Sequence, residues 1–447
     1  MLLINLILLL IFILSLLKII KSNPVYSGIF IYLGVLQVWF IVSNIYLNIG
    51  QWEGKLGIAT FENYSAVFLI LVYLIFNYFL SMFLLKDIKK DFVFKRKDIY
   101  NHSSLVFLFI TLITFFILLV IPLFRFGIPI LSSVNRAEYY TSISGGLYGF
   151  VYRFHYVIPF LIGRVISMEH QSKYNFRKKM ILLLLFTYFF FLFLVGNKFS
   201  DIFFGLICFL ISSDYSKDIL FRVTRDYKQL LLISFYTLIV ILVFSYIIYN
   251  QVTRYYSPGS FMNDYFIPRV LKSQSSLWWA SWNEAISTNL NLKEGLFREL
   301  TNIFSKYEDR YKVGHLFLMV HHGGYKAFLV SLTGFVYTGG YPAILLYIFP
   351  IPIVLLFQIP LAYIFSKLMY QLKKSIIQIN LFSFAISLQF FLTFFSFYWM
   401  GNIHAFFSKR NFVLLLILIV YKLSKKHYRI AYNETSFRTI SNCPYNS

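Results

Sequence analysis

The residues best equipped for chemistry lie in and around one polar stretch, Gln251 to Lys326. It carries Arg254, Arg269, the run Leu277-Trp278-Trp279-Ala280-Ser281-Trp282, Glu284, His315 and the pair His321-His322. Upstream, Arg136 and Tyr139 precede the glycine pair Gly145-Gly146. Arg153 and His155 follow it, and Lys198 sits in a short polar link further on. Few carboxylates accompany these cations. Such a cluster suits a di-anionic headgroup such as pyrophosphate, because arginine makes fork-shaped bidentate contacts with phosphate oxygens. Ordinary anionic lipid headgroups are the plainer partner for the same charges.

Beside a pyrophosphate, His322, His321 or Glu284 can act as a general base or a positioned donor toward an attacking hydroxyl. A hydrogen-bonded structural role is the alternative for the histidines. Metal binding fits less well: the spacing of His315, His321 and His322 is not that of a compact zinc site, and no Cys or Glu-x-x-His partner accompanies them. No metal and no cofactor is expected. Trp278, Trp279 and Trp282 offer flat faces that can stack on sugar rings, or they form an interfacial aromatic belt.

These residues need a scaffold, and composition says which kind. The chain is 59% hydrophobic and only 13% charged, against about a quarter charged in soluble domains, so it reads as an integral membrane protein. Long apolar runs without period-2 alternation predict helices and exclude an outer-membrane barrel. The expected spans are 2–20, 25–47, 65–85, 104–124, 146–167, 181–196, 202–213, 230–250, 340–365, 377–399 and 410–423. The first of these lacks a basic n-region and a cleavage site, so it reads as a span and not a signal peptide. This makes an all-α polytopic protein of about 11 transmembrane helices (12 if 327–337 crosses as well), though 327–337 is better read as re-entrant or interfacial. The apolar positions of 291–307 recur at helical spacing and predict a helix lying on the outer leaflet.

The basic residues concentrate in alternate connections, among them Lys86–Lys97, Lys173–Lys179, Lys217–Lys228, Lys367–Lys374 and Lys425–Arg429. Positive charge in short loops faces the cytoplasm, which puts the N-terminus outside, the C-terminus inside and the long loop outside. The net charge of +23 is therefore a topology signal and not a nucleic-acid footprint. The organisation expected is an N-terminal bundle (1–250), an external loop subdomain (251–339), C-terminal spans (340–424) and a cytoplasmic tail (425–447). Pro342, Pro350, Pro352 and Pro360 are expected to kink the span that begins at 340. No Asp or Glu lies deep in any expected span; Asp201 and Glu138 sit at the external edge. That weighs against an ion-coupled transporter, which needs a buried carboxylate. Cys208 and Cys443 offer no disulfide framework.

Several local patterns resemble the bacterial O-antigen polymerases (Wzy-type repeat-unit polymerases). They are Phe126-Gly127-Ile128-Pro129-Ile130-Leu131 followed by Ser133-Val134-Asn135-Arg136 and Tyr139, the hairpin Gly196-Asn197-Lys198-Phe199-Ser200-Asp201, and a large loop closing on His322 before Thr333-Gly334 and Gly339-Gly340. The resemblance implies a fold like that of class C (GT-C) glycosyltransferases and metal-independent glycosyl transfer at the periplasmic face of the inner membrane. A growing surface glycan, such as that of lipopolysaccharide, would move from undecaprenyl pyrophosphate onto the non-reducing end of a new undecaprenyl-linked repeat unit. It also implies pyrophosphate contacts for Arg136 and Arg254, and for Arg153 and Arg269. Lys198 stands where the family often has arginine. Undecaprenyl-linked oligosaccharides, the bilayer and a polysaccharide chain-length regulator are the implied partners. An O-antigen ligase and a lipid-linked oligosaccharide flippase are the rival assignments.

Overall fold

A computed structural model of the chain describes residues 2–23, 26–49, 64–91, 102–129, 139, 142–143, 146–169, 175–195, 199–212, 275–287, 341–377, 381–401 and 411–420. Every regular element among them is helical: α1 (Leu2–Ser22), α2 (Ser27–Ile49), α3 (Ser65–Asp91), α4 (His102–Phe126), α5 (Gly146–Arg153), α6 (Val157–Glu169), α7 (Asn175–Leu194), α8 (Phe199–Ser212), α9 (Ser276–Ser287), α10 (Ala343–Ile348), α11 (Ile351–Ile377) and α12 (Leu381–Met400). A further short apolar helix, α13, covers Asn411–Val420. Six of these, α1 to α4, α11 and α12, are long and apolar enough to cross a membrane. The chain has the architecture of a helical membrane protein.

Each long helix is apolar all round, so it is polarity and size that select the inward face. On α3 the buried positions include Leu69, Val72, Tyr73, Phe76, Asn77, Leu80, Ser81 and Leu84, a stripe at three- and four-residue spacing. Leu71 and Tyr78 point away from it. On α2 the matching stripe is Leu33, Leu36, Gln37, Phe40, Ile41, Asn44 and Ile45. α1 packs against α2 and α3, and α11 runs along α3 with α12 against it. Phe365 of α11 anchors this core, 5.5 Å from Phe391, 5.4 Å from Phe394 and 6.1 Å from Phe76. A second core joins α4, α5, α6 and α7 through Leu119, Val151, Ile158, Ile162 and Leu192. Val157 of α6 packs against both cores, and Phe204 of α8 meets Tyr156 on one side and Phe395 on the other.

Two expected spans are broken. Residues 146–167 do not form one helix: α5 stops at Arg153, and His155, Val157 and Ile158 donate to carbonyls only three residues back. This tight turn redirects the chain and carries His155 inward. The span expected at 340–365 is instead the short buried α10, a break, and α11, which continues to Ile377. The break has a local cause. Phe349 precedes Pro350, whose ring disfavours a helical conformation before it, and Phe349 is extended at φ −126° and ψ 149°. Pro352 then occupies the first turn of α11, where a missing N–H costs nothing. The segments 230–250, 291–307, 327–337 and 425–447 lie outside the described residues.

Candidate functional site

Among the described residues, four groups of polar side chains inside this apolar bundle stand out. The first joins α9 to the ends of α2 and α3. Ser65 Oγ donates to Asn44 Oδ1 at 3.2 Å and is 3.3 Å from Asn48 Oδ1, while the Ser65 carbonyl accepts from Trp278 Nε1 at 2.9 Å. Ser275, just ahead of α9, donates to the Phe40 carbonyl at 2.6 Å. Phe68 lies 6.2 Å from Trp278 and 4.9 Å from Trp282. A piece of the long loop is thus set into the bundle and not merely laid on it, with α10 packed beside it.

The second group lies deeper. Gln37 Nε2 donates to Tyr398 OH at 2.6 Å and to Asn77 Oδ1 at 3.2 Å, and Asn77 Nδ2 returns a bond to Gln37 Oε1 at 2.7 Å. Tyr341, before α10, donates to Gln358 Oε1 of α11, and its ring lies 4.7 Å from that of Tyr398. Four helices and the turn before α10 therefore meet on neutral amides and phenols, all buried.

The third group uses the α5–α6 turn. His155 Nδ1 and Tyr188 OH are 2.7 Å apart, and the neighbouring Tyr156 donates to Asp201 Oδ1 at 2.9 Å. The His155 and Tyr156 rings are 3.9 Å apart, so the two pairs adjoin. The fourth group marks the far end of α2 and α3. Lys367 pairs with Asp87 at 2.5 Å, Lys373 lies over Tyr26, and Asn23 donates to Ser81 at 2.6 Å. Tyr26 and Asn44 are 18 residues apart along α2, roughly 27 Å. The lysine-bearing end and the α9 end are opposite.

One carboxylate, Asp87, is buried outside the expected spans. It lies just past the 65–85 span drawn from hydropathy, yet it is only 1% exposed. The bundle does hold a buried carboxylate, although at its end and not at its centre.

The residues expected to carry chemistry distribute as follows. Arg136, Lys198, Arg254, Arg269, His321 and His322 lie outside the described residues. Tyr139 is buried in the second core. Arg153 is the last residue of α5, and Glu284 belongs to α9. Trp278, Trp279 and Trp282 are buried, and Trp278 and Trp282 pack on Phe68 of α3 and on one another. The indoles hold α9 in the bundle. Cys208 is buried and unbridged. Among the described residues, no three His, Cys, Asp or Glu side chains gather closely enough to hold a metal ion.

Sequence reasoning missed the central amide group. Its signal was present: Gln37, Asn77 and Gln358 each interrupt an apolar run, and a polar side chain in such a run needs a partner inside the bundle. The search for ionisable groups passed over them.

One family model matches the chain. DUF6418, a family of unknown function, aligns with residues 308–415. The match runs from the end of the long loop through α10, α11 and α12, and so includes Tyr341, Gln358 and Tyr398 but neither Gln37 nor Asn77. No curated protein and no solved structure matches the chain.

Proposed function

We propose that this protein is a surface-polysaccharide polymerase of the O-antigen type, an eleven-span, GT-C-like enzyme of the bacterial inner membrane. The observation that carries the assignment is the seating of α9. The loop segment that supplies Arg254, Arg269 and Glu284 has its central helix locked into the bundle at the end opposite the lysines. Positive charge faces the cytoplasm, so that end is assigned to the periplasmic side, with the N-terminus there and the C-terminus inside. A loop anchored at that depth can hold cations where a lipid-borne pyrophosphate resides.

In this assignment Arg254 and Arg136 stabilise the negative charge that develops as undecaprenyl pyrophosphate departs, with Arg153, Arg269 and Lys198 completing the cradle. His322, His321 or Glu284 orients the acceptor hydroxyl and takes its proton. The C1–oxygen bond to pyrophosphate breaks as the new glycosidic bond forms. No metal is required, because the guanidinium groups supply the charge.

The deciding experiment reconstitutes the protein in liposomes with an undecaprenyl pyrophosphate-linked repeat unit and resolves glycan length on a gel. A ladder of lengths is expected. Labelled lipid crossing the bilayer without a ladder would instead identify a flippase, the second reading, for which the buried Asp87 carboxylate speaks. Transfer onto a lipid A core alone would identify a ligase.

A further inference from the structure

Among the described residues several buried polar atoms have no partner, and three of them sit on helices that meet: Ser281 and Trp282 on α9, and Asn44 on α2 beside Ser65. Asn44 Nδ2, Ser281 Oγ and Trp282 Nε1 have no hydrogen-bond partner, and their residues are 0%, 3% and 5% exposed. Nearby equivalents behave differently. Trp278, one turn before Trp282 and with its ring 6.2 Å away, donates to the Ser65 carbonyl. Ser212, Ser366 and Ser375 each return their hydroxyl to the carbonyl three residues back, the ordinary disposal of a helical serine. Ser281 does not. Asn44 uses its carbonyl oxygen to accept from Ser65, so only its NH₂ is left over.

What remains is almost wholly donating. An indole N–H has no acceptor function, the unpartnered atom of Asn44 is its NH₂, and the Ser281 hydroxyl can donate. A buried donor left unmade bears the full cost of its desolvation, and three at one junction make that cost hard to explain by packing alone. A group rich in acceptors and carrying no hydrogens would satisfy all three. Phosphate oxygens are of that kind, and neutral donors meet them without a second desolvated charge.

We infer that the α9–α2–α3 junction is a phosphate-binding niche in which Asn44, Ser281 and Trp282 donate to phosphate or pyrophosphate oxygens. The polymerase assignment is used only to name the source of the group, the polyprenyl carrier. The niche differs from the arginine cradle in its residues and in its neutrality. It lies at the same end of the bundle as the loop that carries those cations.

The test uses full-length protein in a phosphate-free maltoside detergent and buffer, with two probes: inorganic pyrophosphate and undecaprenyl pyrophosphate. Trp282→Phe keeps the ring and removes the N–H, and Ser281→Ala removes the hydroxyl. Each is expected to weaken binding about 5- to 10-fold, with Asn44→Leu behaving alike. Equal loss for both probes assigns the niche to phosphate oxygens from any source, and loss confined to the lipid assigns it to the carrier headgroup. Unchanged affinity for both probes in Trp282→Phe and Ser281→Ala overturns the inference, especially if the variants melt at higher temperature, because the donors would then be plain core defects. Binding of neither probe by the wild-type chain overturns it equally. Glycan ladder formation, scored separately, keeps the two ideas apart: a ladder with unaltered binding in the variants removes the niche alone, and altered binding without a ladder removes the polymerase alone.

Discussion

Replacing Gln37 by leucine tests whether the central amide group holds the bundle together. The side chain takes part in three hydrogen bonds: one to Tyr398, one to Asn77 and one returned by Asn77. Leucine fills a similar volume, so the change is chiefly polar. It leaves both ends of the Asn77 amide and the Tyr398 hydroxyl, all buried, without this partner. Hydrogen bonds between membrane helices average about 0.6 kcal/mol, with a ceiling near 1.7, because the unfolded chain in lipid also finds partners. Three such bonds give a loss of about 2–5 kcal/mol. Removing both amides should be milder than removing one, since Gln37→Leu/Asn77→Leu orphans only the tyrosine. Equilibrium unfolding in mixed micelles measures both. The reasoning fails if Gln37→Leu matches the wild type, or if the double variant loses as much as the two single losses summed.

Other substitutions probe other parts of the molecule. Arg254→Ala and Arg136→Ala are each expected to lower polymerisation by about 10²–10³-fold with normal membrane insertion, and an unaltered glycan ladder would take that arginine out of the site. Chelation of divalent ions is expected to leave the ladder intact; loss restored by added magnesium or manganese would refute metal independence. A Cβ at Gly34 runs into Leu16 Cδ2, so Gly34→Ala is expected to cost about 1–3 kcal/mol, with Leu16→Ala recovering at least 1 kcal/mol in the double variant. Additive losses would show that α1 and α2 do not meet there. At the lysine end, Lys367→Met leaves the buried Asp87 charge uncompensated and is expected to cost about 3 kcal/mol. Asp87→Asn frees a lysine that is 38% exposed and is expected to cost about 1 kcal/mol. Equal costs on unfolding would contradict the burial asymmetry.

The long apolar helices were legible in the sequence because hydropathy sums over many residues: α1, α2 and α4 start and stop within two positions of the expected bounds, while α3 runs six residues further and α12 starts four later. α11 was displaced, and α5–α6 was read as unbroken, for related reasons. A window long enough to see a span averages away a three-residue turn, and the turn at Phe154–Tyr156 contains neither glycine nor proline. Pro350 was visible and was read as a kink, yet its effect on Phe349 is a full break. The tryptophans were legible as a group but not in their setting: an indole run in a polar loop looks the same whether it lies in the interface or plugs into a groove beside Phe68. Tyr398 could not be picked out from the chain's 35 tyrosines, because its importance comes from Gln37, far away along the chain. Asp87 was missed by the same averaging, since the lysines beside it end the hydropathy signal while Lys367 lets the helix stay packed.

The Gln37–Tyr398 bond spans 361 residues, and the Trp278–Ser65 bond spans 213. α2 and α3 leave the ribosome long before either partner exists. During that interval Gln37 and Asn77 can satisfy each other, since their two reciprocal bonds need nothing from later in the chain. The α2–α3 hairpin is thus able to rest in lipid as a finished unit while more than three hundred residues are made. Ser65 and Asn44 likewise pair within the hairpin and wait for α9. The order of synthesis thus makes α9 available to this hairpin before α12, which brings the last phenol to an amide pair already complete in itself.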